Sequence, residues 1–272
     1  MARQRLGQHF LADAGWREKI ARAIRVSPHG MESLAGGDGN HYCWIEIGAG
    51  HGEMTEHLLR SGAPVIAVEL DPPLVERLRM LASHQTKLTV VHGNVLETHL
   101  GALAAGRRMK IYGNLPYYIT SPILHHFFQY AGQIDEAHIV IQREVAQRLT
   151  AKPGNKLYGY LSVATQLYSR PDFVLRLPRG AFRPPPEVDS ALVTLRFPGA
   201  YAQLGIRDIA GFLEFVKTCF GQKRKTLSNN LRGMTEPVRV REILKKLKLR
   251  EDVRTEQLTV AQLAELYSQI SP

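Results

Sequence analysis

The chain has 272 residues, 44% of them apolar, which is enough for one full α/β domain and a small appended one without disulfide or metal staples. Its formal charge of +10 is spread along the whole length and favours a polyanionic partner such as nucleic acid. Two distant cysteines without CxxC pairing, eleven histidines without HExxH spacing, no run near the roughly 18 apolar residues of a spanning helix, and an N-terminus (MARQRLGQHFLADAGW) without an apolar h-region together predict a cytoplasmic protein with neither metal nor membrane anchor.

From the N-terminus onward, apolar β-branched runs at YCWIEI (42–47), VIAVEL (65–70), LTVV (88–91), KIYGNL (110–115) and AHIVIQ (137–142) alternate with helical patterns. That rhythm predicts βαβ units on a parallel sheet. Asp71 before Pro72, and Ser121 before Pro122, each set an N-cap residue ahead of a proline suited to the first helical position, which predicts helices over 72–82 and 122–130. FRPPPEVDSALVTLRF (182–197) reads as a proline turn followed by a strand that closes the sheet, since prolines cannot donate to a ladder while SALVTLRF alternates. Beyond Pro198-Gly199 the strand signals stop. Helical spacing then runs through 207–220, 223–232, 236–248 and 259–269, so a catalytic domain over 1–200 and a small, basic, all-helical domain over 201–272 are expected.

The first strand runs into IEIGAGHGEMT (45–55), where Gly48, Gly50 and Gly52 open a helix, an arrangement of nucleotide-cofactor sites in α/β sheets and also of plain tight turns. A dinucleotide fingerprint would need glycine at Glu53, and the GK[ST] of a P-loop is absent. Glu46 and Glu69 offer carboxyl groups to a ligand bearing amino and ribose hydroxyl groups, which suits a sulfonium cofactor.

The later strand KIYG leads into NLPYYITSP (114–122), at a carboxyl strand end where open α/β sheets hold ligands. An exocyclic adenine amine is a poor nucleophile because its lone pair is delocalised into the ring. Acceptors that hold its N–H groups localise that pair. Asn114 can supply a side-chain oxygen, Pro116 biases Leu115 towards an extended conformation that presents its carbonyl, and Tyr117 offers a ring for an extruded base.

In these blocks, and in RQRLGQHFL (3–11), VIAVELD (65–71), GNVLE (93–97), VIQREVAQRL (140–149), YGYLSV (158–163) and FGQKRKTLSNNL (220–231), the chain resembles the KsgA-type family of bacterial small-subunit rRNA adenine N6,N6-dimethyltransferases over essentially its whole length. The resemblance implies a Rossmann-like fold with a mostly parallel seven-stranded sheet, S-adenosyl-L-methionine as cofactor, and dimethylation of two adjacent adenosines in the 3′-terminal hairpin loop of 16S rRNA, by a monomer acting on the small (30S) subunit during its maturation. It further implies cofactor contacts from His9, Leu11, Gly48, Glu69, Asn94 and Asn114, with Asn114, Leu115 and Tyr117 at the target amine and Phe182 stacking on the other face of the base.

Three positions depart from the family pattern: Asn94 stands where Asp is usual, His9 where Asn is usual, and Tyr118 where Asn is common. Lys223, Arg224 and Lys225, with Arg143 and Arg148, are candidate phosphate contacts. Two rivals share these features, a macrolide-resistance-type enzyme acting on large-subunit rRNA and a non-catalytic RNA-binding assembly factor. FRPPPEVDSALVTL and FGQKRKTLSNNL favour the small-subunit family over the first, and the intact Asn114-Leu115-Pro116-Tyr117 argues against the second.

Overall fold

A computed structural model of the chain describes residues 9–26, 41–222 and 224–270. In chain order come β1 (Phe10–Leu11), α1 (Ala14–Ala23), β2 (Tyr42–Ile47), α2 (Glu53–Leu59), β3 (Val65–Glu69), α3 (Pro72–Ala82), β4 (Leu88–His92), α4 (Leu100–Ala104), β5 (Arg108–Asn114), α5 (Thr120–Phe128), β6 (Ile134–Gln142), α6 (Arg143–Leu149), α7 (Tyr160–Tyr168), β7 (Arg170–Leu177), β8 (Phe182–Arg183) and β9 (Ser190–Arg196). Five further helices follow the last strand: α8 (Tyr201–Leu204), α9 (Ile209–Cys219), α10 (Leu227–Asn230), α11 (Pro237–Lys246) and α12 (Val260–Ile270).

Two compact units result. One holds the described residues up to Ala146 with Asp172–Phe197; the other holds Gln147–Pro171 and the described residues from Pro198 onward. Residues 147–171, which the sequence places with the sheet, therefore group with the C-terminal helices. The second unit has its own core, in which Tyr158 and Leu167 join Phe212, Phe215, Leu244 and Leu263.

The first unit is built on a seven-stranded sheet in the order β4-β3-β2-β5-β6-β9-β7. β4, β3, β2, β5 and β6 are mutually parallel and β9 runs antiparallel to β6, so the sheet is mostly parallel with helical crossovers, a Rossmann-like architecture. The chain reverses direction across β2, with β3 on one side and β5 on the other, and such a switch leaves a crevice beyond the carboxyl ends of the strands.

Two expectations need correction. The strand 190–196 does not close the sheet, because β7 lies outside it as the edge. β7 escapes pattern reading since RPDFVLRL alternates poorly and carries Pro171, which an edge tolerates and a central strand does not. Ser121 is not an N-cap. The chain passes through a 3₁₀ turn at Tyr117–Ile119 directly into α5, so Ser121 and Pro122 lie within the first helical turn, where a missing N–H breaks no bond. Helix α3 starts at Pro72 as expected, with Asp71 at the N-cap.

Beneath the crevice a polar row crosses the sheet: Glu46, Tyr112, His138 and Thr194 share one register position on β2, β5, β6 and β9, and all are buried. Burial keeps this row uncharged. It pushes the His138 imidazole down, and it raises the Glu46 carboxyl to about 8 against a hydroxyl bond from Thr55 Oγ1 (2.5 Å), with the Glu69 charge adding to the rise. The unfolded chain holds the Glu46 proton only to about pH 4.3. The stability this proton confers is complete below that pH and is lost as the pH rises towards 8. Glu46→Gln keeps the acceptor for Thr55 without the titration, so its urea-unfolding midpoints should depend less on pH between 5 and 8 than those of the wild type. The difference in slope has an upper limit of about 1.4 kcal/mol per pH unit for one proton. Parallel slopes in the two proteins would refute a buried, protonated Glu46.

Candidate functional site

The crevice is a cleft whose walls include His9, Phe10, Ile47, Gly48, Gly50, Glu69, Leu70, Asn94, Val95, Asn114, Leu115, Tyr117 and Tyr118. Residues from five separate stretches of chain thus meet at the carboxyl ends of β2, β3, β4 and β5. Gly48 and Gly50 both take positive φ, at 66° and 59°. A Cβ at Gly48 would meet no protein atom within 4 Å, and one at Gly50 would press on the Phe10 ring at 3.2 Å. The loop is therefore bare backbone facing open space, a surface a ligand can approach closely.

Glu69 ties this loop to the end of β3. Its Oε1 accepts from the backbone N–H of Leu70 (2.8 Å) and Asp71 (2.9 Å), and its Oε2 accepts from Gly50 N–H (2.9 Å). With about two lone pairs on each oxygen, Oε2 retains room for one further donor from the cleft, such as a ribose hydroxyl. On the far wall Leu70, 46% exposed, and the largely buried Val95 offer apolar surface for a flat ring.

Asn94 lies in the cleft as the N-cap of the 3₁₀ turn Val95–Glu97, with Oδ1 accepting from Leu96 N–H (3.1 Å). Its Nδ2 donates to Glu97 Oε1 at 2.9 Å. An aspartate here would set a carboxylate against the Glu97 carboxylate, so the amide at 94 is matched to the acid at 97. That partnership was overlooked in GNVLE, where the i,i+3 spacing carries it.

Asn114 ends β5, and its Nδ2 donates to the backbone carbonyl of His9 at 2.7 Å. A backbone carbonyl only accepts, so the amide must face it with nitrogen, which leaves Oδ1 as the acceptor on the cleft side. Leu115 lines the cleft although the residue as a whole is almost fully buried. Its N–H donates to Val140, while among the described residues its carbonyl accepts no hydrogen bond. Two acceptors thus stand on successive residues. Beside them the Tyr117 hydroxyl shares a hydrogen bond with Ser190 Oγ (2.7 Å), its ring centroid lies 5.7 Å from that of His9, and burial pushes the phenol up. His9 is itself held through Nδ1 to the Pro184 carbonyl at 2.8 Å.

Two expected residues are not brought to the cleft. Leu11 and Phe182 face each other across the β1–β8 ladder and are buried in the core of the first unit, Phe182 completely. Neither residue lines the cleft, and the burial of Phe182 leaves no ring face open for a base to stack on. Of the candidate phosphate contacts, Arg224 and Lys225 are exposed in the turn before α10, Arg148 is exposed near the end of α6, and Arg143 is half-buried with its guanidinium 3.9 Å from Asp189. Lys223 lies outside the described residues. Sequence reasoning missed a stronger feature on α11. Val240, Ile243 and Leu244 bury one face, which leaves Arg239, Arg241, Lys245 and Lys246 exposed; the i, i+3, i+4 spacing of the apolar residues was the signal. Among the described residues, no group of three His, Cys, Asp or Glu side chains could hold a metal ion, and no helix is long and apolar enough to cross a membrane.

Comparison with known proteins accords with this geometry. The chain is 38% identical over 98% of its length, and 93% of the relative, to a ribosomal RNA small subunit methyltransferase A of Koribacter versatilis. It is 39% identical over 97% of its length, and 95% of the relative, to the protein of that name from Xanthomonas campestris pv. campestris. Among solved structures, a dimethyladenosine transferase from Plasmodium falciparum shares the fold with a TM-score of 0.78 at 22% identity over 96% of each chain. The 23S rRNA methyltransferase ErmE matches with a TM-score of 0.72 at 25% identity, over 97% of this chain and all of that one. The family model for ribosomal RNA adenine dimethylase matches residues 1–271, and the chain belongs to that family.

Proposed function

We propose that the protein transfers methyl groups from S-adenosyl-L-methionine to N6 of two adjacent adenosines in the 3′-terminal hairpin loop of the small-subunit ribosomal RNA, acting in the cytoplasm as a monomer during maturation of the small subunit. The observation that carries the reading is the acceptor pair, Asn114 Oδ1 and the Leu115 carbonyl, beside the Tyr117 ring. Small-subunit specificity rests on the relatives at 38–39% identity, which are named for that subunit, against 25% for the large-subunit enzyme ErmE. The exposed cations of α11, with Arg224, Lys225 and Arg148, supply phosphate contacts from the helical unit, which we read as the RNA-binding domain.

The cofactor fits the residues present: the bare backbone at Gly48, the open lone pair of Glu69, the amide of Asn94 and the apolar walls at Leu70 and Val95 match a group with ribose, adenine and amino-acid parts. When bound, S-adenosylmethionine supplies an electrophilic methyl group on a sulfonium. The remaining work belongs to the chain. Asn114 Oδ1 and the Leu115 carbonyl accept the two N–H bonds of the target amine and return its lone pair to nitrogen. Tyr117 stacks on the extruded base, and its phenol, held protonated by burial and bonded to Ser190, is no base. Rate then comes from alignment, with the proton lost after the new C–N bond forms.

Labelled methyl transfer to unmethylated small and large subunits, followed by nucleoside analysis, tests this. Dimethyladenosine is expected in small-subunit RNA alone, and Asn114→Ala should lower kcat by about 10²–10³-fold, the scale of losing one preorganised polar contact to the reacting group. Label in large subunits would transfer the protein to the resistance type; subunit binding without label would make it an assembly factor. A second expectation concerns Asn94. Asn94→Asp alone should bind cofactor no tighter than wild type, because it faces Glu97. Asn94→Asp combined with Glu97→Gln should bind about fivefold tighter, the worth of a charge-assisted over a neutral hydrogen bond. Calorimetric titration decides, and equal gains in the single and double variants would dismiss the pairing.

A further inference from the structure

Tyr118 is 65% exposed, and among the described residues no other Phe, Tyr or Trp is exposed rather than buried or half-buried. Lone exposed apolar residues are ordinary on a protein surface, so exposure by itself assigns nothing. Position does. The ring borders the same cleft as Asn114, Leu115 and Tyr117, one residue past the tyrosine placed at the target base. Among the described residues it makes no hydrogen bond, ion pair or ring contact, so no protein group accounts for its presence.

The backbone beneath it is firmly held. Leu115 N–H donates to Val140 (3.0 Å), and the Pro116 carbonyl accepts from Ile119 N–H (3.2 Å) and from Thr120 Oγ1 (3.3 Å). An aromatic side chain has only two side-chain torsions to order, so a ring on such a turn is a preorganised stacking platform.

Resting on the function proposed above, we infer that Tyr118 stacks on the base of the nucleotide adjoining the target adenosine, outside the cleft. The geometry of the substrate asks for such a contact. With two adjacent adenosines, each must enter the same cleft in turn, and while one is held at Asn114 and Leu115 its neighbour, joined by a single phosphodiester, stands at the rim. Extrusion has unstacked that neighbour too, and an aromatic face replaces the lost stacking without regard to base identity. Tyr118 is thus an RNA-binding and positioning residue, distinct from the acceptors that act on the amine.

The test measures initial rates on unmethylated small subunits at saturating cofactor for wild type, Tyr118→Ala and Tyr118→Phe, together with the dissociation constant of each protein for S-adenosylmethionine alone. Tyr118→Ala should raise KM for the subunits roughly tenfold, within the range of one base–aromatic stack, and should lower the share of product carrying both modified adenosines. Its kcat should stay within about twofold of wild type and its cofactor affinity should not change, while Tyr118→Phe should behave as wild type. An unchanged KM in Tyr118→Ala would overturn the inference, as would a Phe variant as impaired as Ala, or weakened cofactor binding that assigns the ring to the cofactor. A wild type that transfers no methyl group to small subunits would overturn the parent reading and this one with it, whereas an active wild type matched by Tyr118→Ala would remove this one alone.

Discussion

The hydrogen bond from Asn114 Nδ2 to the His9 carbonyl links positions 105 residues apart and settles which way the amide points. Everything at the amine site depends on that orientation, because an amide turned the other way would offer donors to an amine that needs acceptors. The neighbouring residues are arranged to the same end. At Gly113 a Cβ would lie 2.7 Å from the Leu115 side chain and 3.2 Å from Ile47, so glycine leaves the room that the buried Leu115 side chain occupies. His9 is in turn anchored through its ring to Pro184, so the acceptor pair rests on contacts from three distant parts of one unit.

The charges of the cleft follow from burial and bonding. Glu46, beneath it, holds its proton, while Glu69 satisfies three backbone N–H groups of the glycine loop and the β3 end before it meets any ligand. Opposite, Asn94 presents an amide whose nitrogen is occupied by Glu97. The amine end therefore contains neutral acceptors and a protonated phenol, and the acidic end is confined to the carboxylate at β3. Such a site aligns reactants rather than titrating them, which suits a reaction whose nucleophile is already neutral.

Much of this was legible in the sequence, for identifiable reasons. β2 and α3 were found at their true limits because YCWIEI is a short apolar run bounded by turn residues and Pro72 follows a capping residue, signals that are local. Of the cleft residues, Gly48, Glu69, Asn114, Leu115 and Tyr117 are legible as strand ends and turns, whereas His9 and Asn94 were implied by the family resemblance alone. What failed was non-local. Phe182 and Leu11 pair across a ladder joining two remote segments, and nothing in either segment announces the partner that buries it. β7 is an edge strand with neither clean alternation nor an apolar run, and α7 joins the C-terminal helices through contacts that no single window shows. The Asn94–Glu97 pair is local, but an i,i+3 spacing in a single 3₁₀ turn does not by itself say that the two side chains bond.

Tyr117 and Tyr118 are neighbours under different constraints. In a 3₁₀ turn consecutive side chains project about 120° apart, so Tyr117 and Tyr118 border the cleft from different directions. Tyr117 is constrained from within, by Ser190 and His9, and its identity answers to the fold as well as to the substrate. Among the described residues Tyr118 makes no hydrogen bond, ion pair or ring contact that would constrain it. A position with no intramolecular partner can vary without disturbing the fold, and whatever restricts its side chain must come from what docks against the rim. A change inside the packed cleft, by contrast, meets partners of its own, as Asn94 meets Glu97.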